Sequence, residues 1–364
     1  MWDGLMKNVQ VGLAILPYKS YLQSSVELFE KEEVDCLEWP FDIIIDQNAL
    51  PDWAVGLRNE YSNAGRLLAH GVYYSLFDAK WTSRQESWLN GLRSAVENTK
   101  FEHITEHFGM MSSNSAHKGF PLPQPYSPQL LSIGIDRIKR IQDVAQLPTG
   151  LENLALAFCK EDVQEQGEFI ENLVSAVNGF IILDLHNLYC QSYNFNLPLD
   201  ELLNLYPLHL VKEIHISGGS WAEEGTGKVR RDTHDDRVPE EVFAFLTLAL
   251  QKCPHLEHVI FEQLNHALTS EKEQVQFRAD FRKIREIVLQ QPQKRQRDFG
   301  PIQFDLSAPL EIKDLIEEQA QLKSIFLNSS SMGEAKAKLS ILNPNLSWSD
   351  KMISTGLSLS EKWN

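Results

Sequence analysis

Eight short runs rich in β-branched residues, each followed by a longer amphipathic stretch, govern what this chain can fold into. The runs are VQVGLAI (9–15), VDCLEW (34–39), RLLAHGV (66–72), FEHITEHF (101–108), GLENLAL (150–156), FIILDLHNL (180–188), VKEIHISG (211–218) and HVIFEQL (258–264). Segments such as RQESWLNGLRSAVENT and PQLLSIGIDRIKRIQDVA separate them with helical periodicity. Strands that alternate with helices build a parallel sheet, because parallel neighbours need a crossover connection long enough to hold a helix. A count of eight points to closure, so the expected fold is α/β, a (β/α)8 TIM barrel with a C-terminal helical extension. The alternative is an open doubly wound sheet, but no G-x-G-x-x-G or P-loop follows any run.

The 364 residues exceed what a barrel of ~250 residues needs. From Gln291 the composition changes: QPQKRQRDFGP (291–301) is polar and basic and reads as a linker. Two amphipathic helices are expected beyond it, over 310–326 and 333–342. The division expected is therefore a metal-binding catalytic barrel over 1–291 and a linker with helical extension over 292–364. That extension is not needed to complete a barrel; capping it, holding an oligomer or binding a peptide are the roles open to it.

A formal charge of −16 argues against a nucleic-acid partner, since phosphate binding needs a basic surface. The longest apolar run, 242–250, is far shorter than the ~20 residues that cross a bilayer, and no signal peptide is expected at the N-terminus. The four cysteines, Cys36, Cys159, Cys190 and Cys253, show no C-x-x-C spacing and fit a reduced, cytoplasmic protein.

Histidines and carboxylates gather at the C-terminal ends of the runs. His70 lies in the third, His107 in the fourth, Glu152 in the fifth, Asp184 and His186 in the sixth, His215 in the seventh and Glu262 in the eighth. Period-two alternation places Asp184 and His186 on one face and Leu183 and Leu185 on the other. Inward residues near the strand ends converge on the barrel axis, where charge is costly unless paired or bound to metal. Asp232 and His234 sit on a long connection, 219–238, that follows the seventh run; a second long connection, 109–127, follows the fourth. In a barrel, both connections frame the active site. Together these groups suit two or three divalent or trivalent ions, with a carboxylate such as Glu152 between two of them. Glu38 is a candidate supporting or floor carboxylate, Glu106 has the outward parity, and Asn153 and Asn187 either orient the ligands they follow or, for one of them, coordinate. His103, His255, His258 and His266 read as ordinary hydrogen-bonded histidines. Imidazole with carboxylate suits iron, manganese or catalytic zinc and excludes a Cys-rich structural zinc site.

The ordered motifs LLAHGV, HITEHFG, PLPQPY, LEN, LDLHNLY, EIHISGG, DTHDDRV and FEQ resemble the multinuclear non-haem iron-dependent oxidases related to the methanobactin biosynthesis iron subunit, from about residue 9 to 290. The resemblance implies a xylose-isomerase-like barrel that uses O2 to modify cysteine residues of a ribosomally synthesised precursor peptide. It also implies a small partner protein that presents the peptide leader. His70, His107, Glu152, Asp184, His215 and Glu262 would hold an iron pair, mixed Fe(II)/Fe(III), bridged by Glu152. Asp232 and His234, with His186 or Asn187, would supply a third position; His186 departs from the commoner LD-x-N-N pattern. Glu152, Asp184, His215 and Glu262 are the residues expected to carry catalysis. Two other readings remain: a hydrolytic or isomerising metal-dependent barrel of the trinuclear-zinc endonuclease or sugar-isomerase type, and a non-catalytic metal store or scaffold.

Overall fold

The computed structural model describes residues 6–44, 50–111, 124–224, 227–344 and 347–361. Eight parallel strands close into a barrel: β1 (Gln10–Ala14), β2 (Cys36–Pro40), β3 (Leu67–Gly71), β4 (Ile104–His107), β5 (Thr149–Glu152), β6 (Phe180–Asp184), β7 (Val211–Ile216) and β8 (His258–Phe261). They pair in chain order, and β8 closes the ring on β1 with His258 opposite Gln10. The crossovers are α1 (Lys19–Glu30), α2 (Asp52–Asn63), α3 (Ser83–Asn98), α4 (Pro128–Ala145), α5 (Lys160–Ser175), α6 (Leu185–Phe195), α7 (Glu240–Lys252) and α8 (Glu271–Leu289). Among the described residues no helix is long and apolar enough to cross a membrane.

The barrel interior is layered by period-two alternation. On β8 the inward series is His258, Ile260 and then Glu262 just past the strand end; on β3 it is Leu68 and His70; on β2, Cys36 and Glu38. Cys36, Leu68 and Ile260 are fully buried and form an apolar plug in mid-barrel. Gly12 lets that plug close: a Cβ there would stand 2.6 Å from the Cys36 sulfur and 2.8 Å from Ile260. The polar residues one step further along β2, β3 and β8 therefore sit on a dry floor, at the C-terminal mouth.

Strand ends differ from the sequence expectation at the sixth run. β6 stops at Asp184, whose carboxylate accepts from the Asn187 amide and caps α6, so His186 lies in the first helical turn rather than on the strand. The alternation argument for His186 is thereby corrected. The connection 219–238 is ordered around an antiparallel hairpin, Trp221–Glu224 with Gly227–Arg230. Most of the connection 109–127, including the start of PLPQPY, lies outside the described residues.

The stretch expected to be a linker packs on the barrel. Lys294 and Arg295 pair with Met6 and Lys7, Phe299 is buried against Phe180, and Arg137 donates to the Leu310 carbonyl. Beyond it come α9 (Lys313–Asn328), α10 (Met332–Leu342) and a third helix the sequence reading missed, α11 (Asp350–Glu361). α11 escaped notice because its apolar positions are interleaved with Ser, Thr and Gly. The three helices share a separate apolar core with Leu156, Phe158 and Cys159, in the segment just after β5. Trp348 stacks on Phe158 at 3.8 Å between ring centroids.

Candidate metal centre

The C-terminal mouth of the barrel brings two sets of donor atoms together. His70, His107 and Glu152 form one; Glu152, Asp184, His215 and Glu262 form the other, with all atoms of each set within 4.8 Å of one another. Glu152 is common to both. His70 Nε2 and His107 Nε2 lie 3.3 and 3.5 Å from Glu152 Oε2, and His215 Nδ1 lies 3.8 Å from that same oxygen and 3.3 Å from Glu262 Oε2.

The hydrogen bonds on the far side of each ring decide which nitrogen offers its lone pair. His107 Nδ1 faces the Gly71 carbonyl at 3.1 Å, which can only accept, so that nitrogen carries the proton. His70 Nδ1 meets Thr105 Oγ1 at 2.8 Å; the hydroxyl gives its own proton to the Ala69 carbonyl and must accept from the ring. His215 Nε2 stands 3.0 Å from both Glu38 and Glu213, and Glu213, whose charge the neighbouring rings favour, accepts from it. Three imidazole nitrogens, on the sides of the rings away from those bonds, thus gather within 3.8 Å of one carboxylate oxygen. Lone pairs facing one another across a buried space repel unless a cation, a metal ion or a proton, lies between them. Glu152 Oε2, Asp184 Oδ2, Asn187 Oδ1 and His215 Nδ1 are buried there without hydrogen-bond partners.

The electrostatics carry the same signature. Burial pushes Asp184 up to about 8, with Asp232 and Glu262 adding to it, and raises Glu152 well above the ordinary carboxylate range against the pull of His215. Burial likewise takes Glu38 up to about 8 despite His215. His70 and His107 are held below the usual value chiefly by burial. For His215 burial acts downward, but Glu38, Glu262 and Glu152 overcome it and raise the ring well above 6.5. Glu262, opposed by burial, falls to about 2 under the pull of His215 and His234. The chain has concentrated carboxylates that want a positive charge deeper than its own side chains supply.

Asp232 and His234 stand on the pocket side of this centre. His234 Nε2 is 2.8 Å from Asp232 Oδ1 and its Nδ1 is 3.8 Å from Glu262, with a left-handed backbone (φ 51°) that few non-glycine residues adopt. His186 reaches Asp232 with Nδ1 at 3.1 Å, while its Nε2 accepts from Arg230 at 3.2 and 3.3 Å. Since arginine only donates, the lone pair of His186 is already engaged, and the ring positions Asp232 from behind. Asn187 donates to the Asn153 carbonyl at 2.9 Å and, at 3.4 Å, to Glu152; the Asn153 side chain in turn bridges the Asp184 backbone.

Below the centre, Glu213 joins His215 to His103 Nε2 at 2.7 Å, and Glu102 joins His258 at 2.9 Å and Lys212 at 2.7 Å. His103 and His258 are therefore bonded floor residues, as expected of them; with Glu102 they also gather as donors, but the Lys212 ammonium already supplies the cation there. Glu213 was missed from sequence, although its position two residues before His215 on β7 gives it the same inward parity. Glu106 points outward as its parity requires and accepts from the amides of His107 and Tyr74. His266 lies exposed at the pocket rim and His255 bonds the Arg295 carbonyl. The centre opens into a cavity of about 570 Å³ whose polar floor includes His70, His107, Asp232, His234 and Glu262, under walls of Leu16, Val72, Leu154 and Leu156.

Comparison with known proteins places this architecture. The chain is 31% identical over 181 residues to a UPF0276 protein of Chromobacterium violaceum, a match covering 49% of this chain and 63% of that protein. It is 26% identical over 225 residues to a UPF0276 protein of Acaryochloris marina, covering 58% and 79% of the two chains. The aligned part thus spans less than two thirds of the first relative's length. Among solved structures, the IOLI protein with a bound zinc atom superposes with a TM-score of 0.51 at 13% identity, covering 77% of this chain and 98% of that one. A D-allulose 3-epimerase from Methylomonas sp. in complex with D-allulose gives 0.50 at 13% identity, covering 77% and 97%. These likenesses show the fold, a TIM barrel. The family model for the RiPP precursor modification enzymes MbnB/TglH/ChrH, which act on ribosomally synthesised and post-translationally modified peptides, matches residues 29–283, and the chain belongs to that family.

Proposed function

We propose that this chain is an O2-dependent multinuclear non-haem iron oxidase that modifies a cysteine residue of a ribosomally synthesised precursor peptide. The observation that carries the reading is Glu152, a buried carboxylate shared by two donor sets and faced by three imidazole nitrogens. His70 and His107 would complete one position with Glu152; Asp184, His215 and Glu262 would complete the other. Asp232 and His234 would hold a third ion at the pocket side, or receive the substrate there. Four carboxylates in one centre, Glu152, Asp184, Asp232 and Glu262, would balance the charge of two ferrous ions, and a ferric ion or a third ion would leave a positive charge for an anionic ligand such as a thiolate. Iron held there supplies the affinity for a thiolate sulfur and the redox chemistry with dioxygen.

The chain's own groups contribute position and exclusion. No cysteine of the chain is among the donors, so a sulfur ligand has to arrive with the substrate. Thr105, Gly71, Glu38 and Glu213 fix the ring nitrogens that face the ions. The apolar walls keep water from the reacting carbon while the cavity admits a peptide side chain with its neighbours. A small partner protein presenting the leader and a cytoplasmic setting complete the proposal.

Protein purified without oxygen, analysed for metals and by Mössbauer spectroscopy and then given O2 with Cys-bearing peptides, tests it. The expected result is iron in both positions and oxygen uptake only with peptides that contain cysteine, with and without partner protein added. Stoichiometric zinc with turnover that needs no oxygen overturns it in favour of a hydrolytic or isomerising barrel.

A further inference from the structure

The three C-terminal helices lie beyond residue 283, where the family match ends, yet the last of them reaches the same cavity. Thr355 and Leu359, one helical turn apart on α11, line its rim together with Leu156 and Val229. We propose that α11 is the specificity wall of this cleft, with Leu359 and Thr355 selecting an apolar residue beside the modified cysteine of the peptide. The inference rests on the peptide-cysteine reading above and adds to it which residues choose the substrate.

The wall is seated firmly. Gly356, between the two lining residues, packs so closely that a Cβ would stand 2.6 Å from Phe326 and 3.1 Å from Phe158. Met352 and Ile353 are buried in the same apolar core, and the Ser349 amide bonds the Phe158 carbonyl at 3.2 Å. Phe158 follows shortly after Glu152, so the helix is tied to the segment that leaves the shared metal ligand. Val229 is buried in that core as well and is followed by Arg230, the donor to His186. One edge of the extension is thus in register with the metal centre.

Its chemistry is complementary to carbon, not charge. Leu156, Val229 and Leu359 offer hydrocarbon, and the Thr355 hydroxyl donates its proton to the Lys351 carbonyl at 3.0 Å. A peptide whose sulfur reaches the floor would lay a neighbouring residue against this wall. An ionic side chain laid against these hydrocarbon groups would lose hydration there, whereas an apolar one gains by burial; Arg230 and Arg231 line the cavity beyond Val229.

The test is selection from a display library of peptides with a single fixed cysteine flanked by random residues, using the full-length metal-loaded protein and its Leu359→Asp and Leu359→Trp variants. The wild type is expected to enrich apolar residues at one flanking position. Leu359→Asp should shift that position to lysine or arginine, and Leu359→Trp should shift it to glycine or alanine, each by about tenfold or more in enrichment. Metal content of both variants should equal that of the wild type; the Trp variant keeps the helix apolar should the Asp variant loosen it. Cysteine-dependent enrichment with the same flanking preference in all three proteins overturns this inference and leaves the peptide-cysteine reading standing. Enrichment that ignores the cysteine in every protein overturns both.

Discussion

His70 and Glu152, on strands separated by β4, meet across the barrel mouth with Nε2 3.3 Å from Oε2. The contact places an imidazole lone pair against a carboxylate oxygen, since the Nδ1 proton of His70 is committed to Thr105. In the reading proposed above, the pair would serve as two ligands of one ion. Replacing His70 with Ala should remove one ion and spare the position held by Asp184, His215 and Glu262. Metal analysis of His70→Ala is expected to show one ion per chain fewer than the wild type, and an unchanged content would separate His70 from metal binding.

Glu213 faces two rings in the buried barrel interior, His215 at 3.0 Å and His103 at 2.7 Å. Its charge is favoured by both, His103 foremost, against the cost of burial. Glu213→Ala removes one member of a buried charge network and leaves the others unpaired, a change that typically costs about 3–5 kcal/mol. Urea denaturation of metal-free protein measures it. A loss below about 1 kcal/mol, the scale of an exposed pair, would show that water compensates the network.

Stability of the metal-free chain should fall as pH rises from 6.5 through about 8. Glu38 and Asp184 keep their protons to about 8 when folded but release them near the usual 4.5 and 3.8 when unfolded, so each loses its advantage as pH climbs. His215 and His234, raised above 6.5 by neighbouring carboxylates that outweigh burial, lose stability in the same direction. Metal bound as proposed would replace those protons. Melting temperatures across this window should therefore decline without metal and stay flatter with it; parallel curves would contradict the assignment.

Most of the barrel and its donor set was legible because parity along short strands is a strict rule. Glu38, His70, Glu152, His215 and Glu262 all fall where period-two alternation, continued one step past the strand, sends them inward. His186 was placed by the same rule for the wrong reason, because the capping role of Asp184 turns the chain into α6 at the position where alternation was still being counted. Its engagement by Arg230 was invisible, since that contact spans from α6 to a hairpin whose fold depends on the whole barrel. The polar composition of 291–301 suggested a free linker, yet pairing with Met6–Lys7 and burial of Phe299 are tertiary facts that composition does not encode. Glu213 was legible by parity and was overlooked beside the more obvious histidine.

Trp348 fills the seam between the extension and the segment after β5. Trp348→Ala should destabilise that seam by about 3–5 kcal/mol, the usual cost of emptying a buried aromatic site. Proteolysis is expected to release the C-terminal helices while the barrel retains its metal. Resistance equal to wild type would show that the helices are held by other contacts.

Because one carboxylate serves both donor sets, metal content of anaerobically purified wild type and Glu152→Ala tests the account most directly. The account predicts at least two iron ions per chain in the wild type and loss from both positions in Glu152→Ala. A Glu152→Ala protein that is folded and retains the wild-type complement of metal would contradict it.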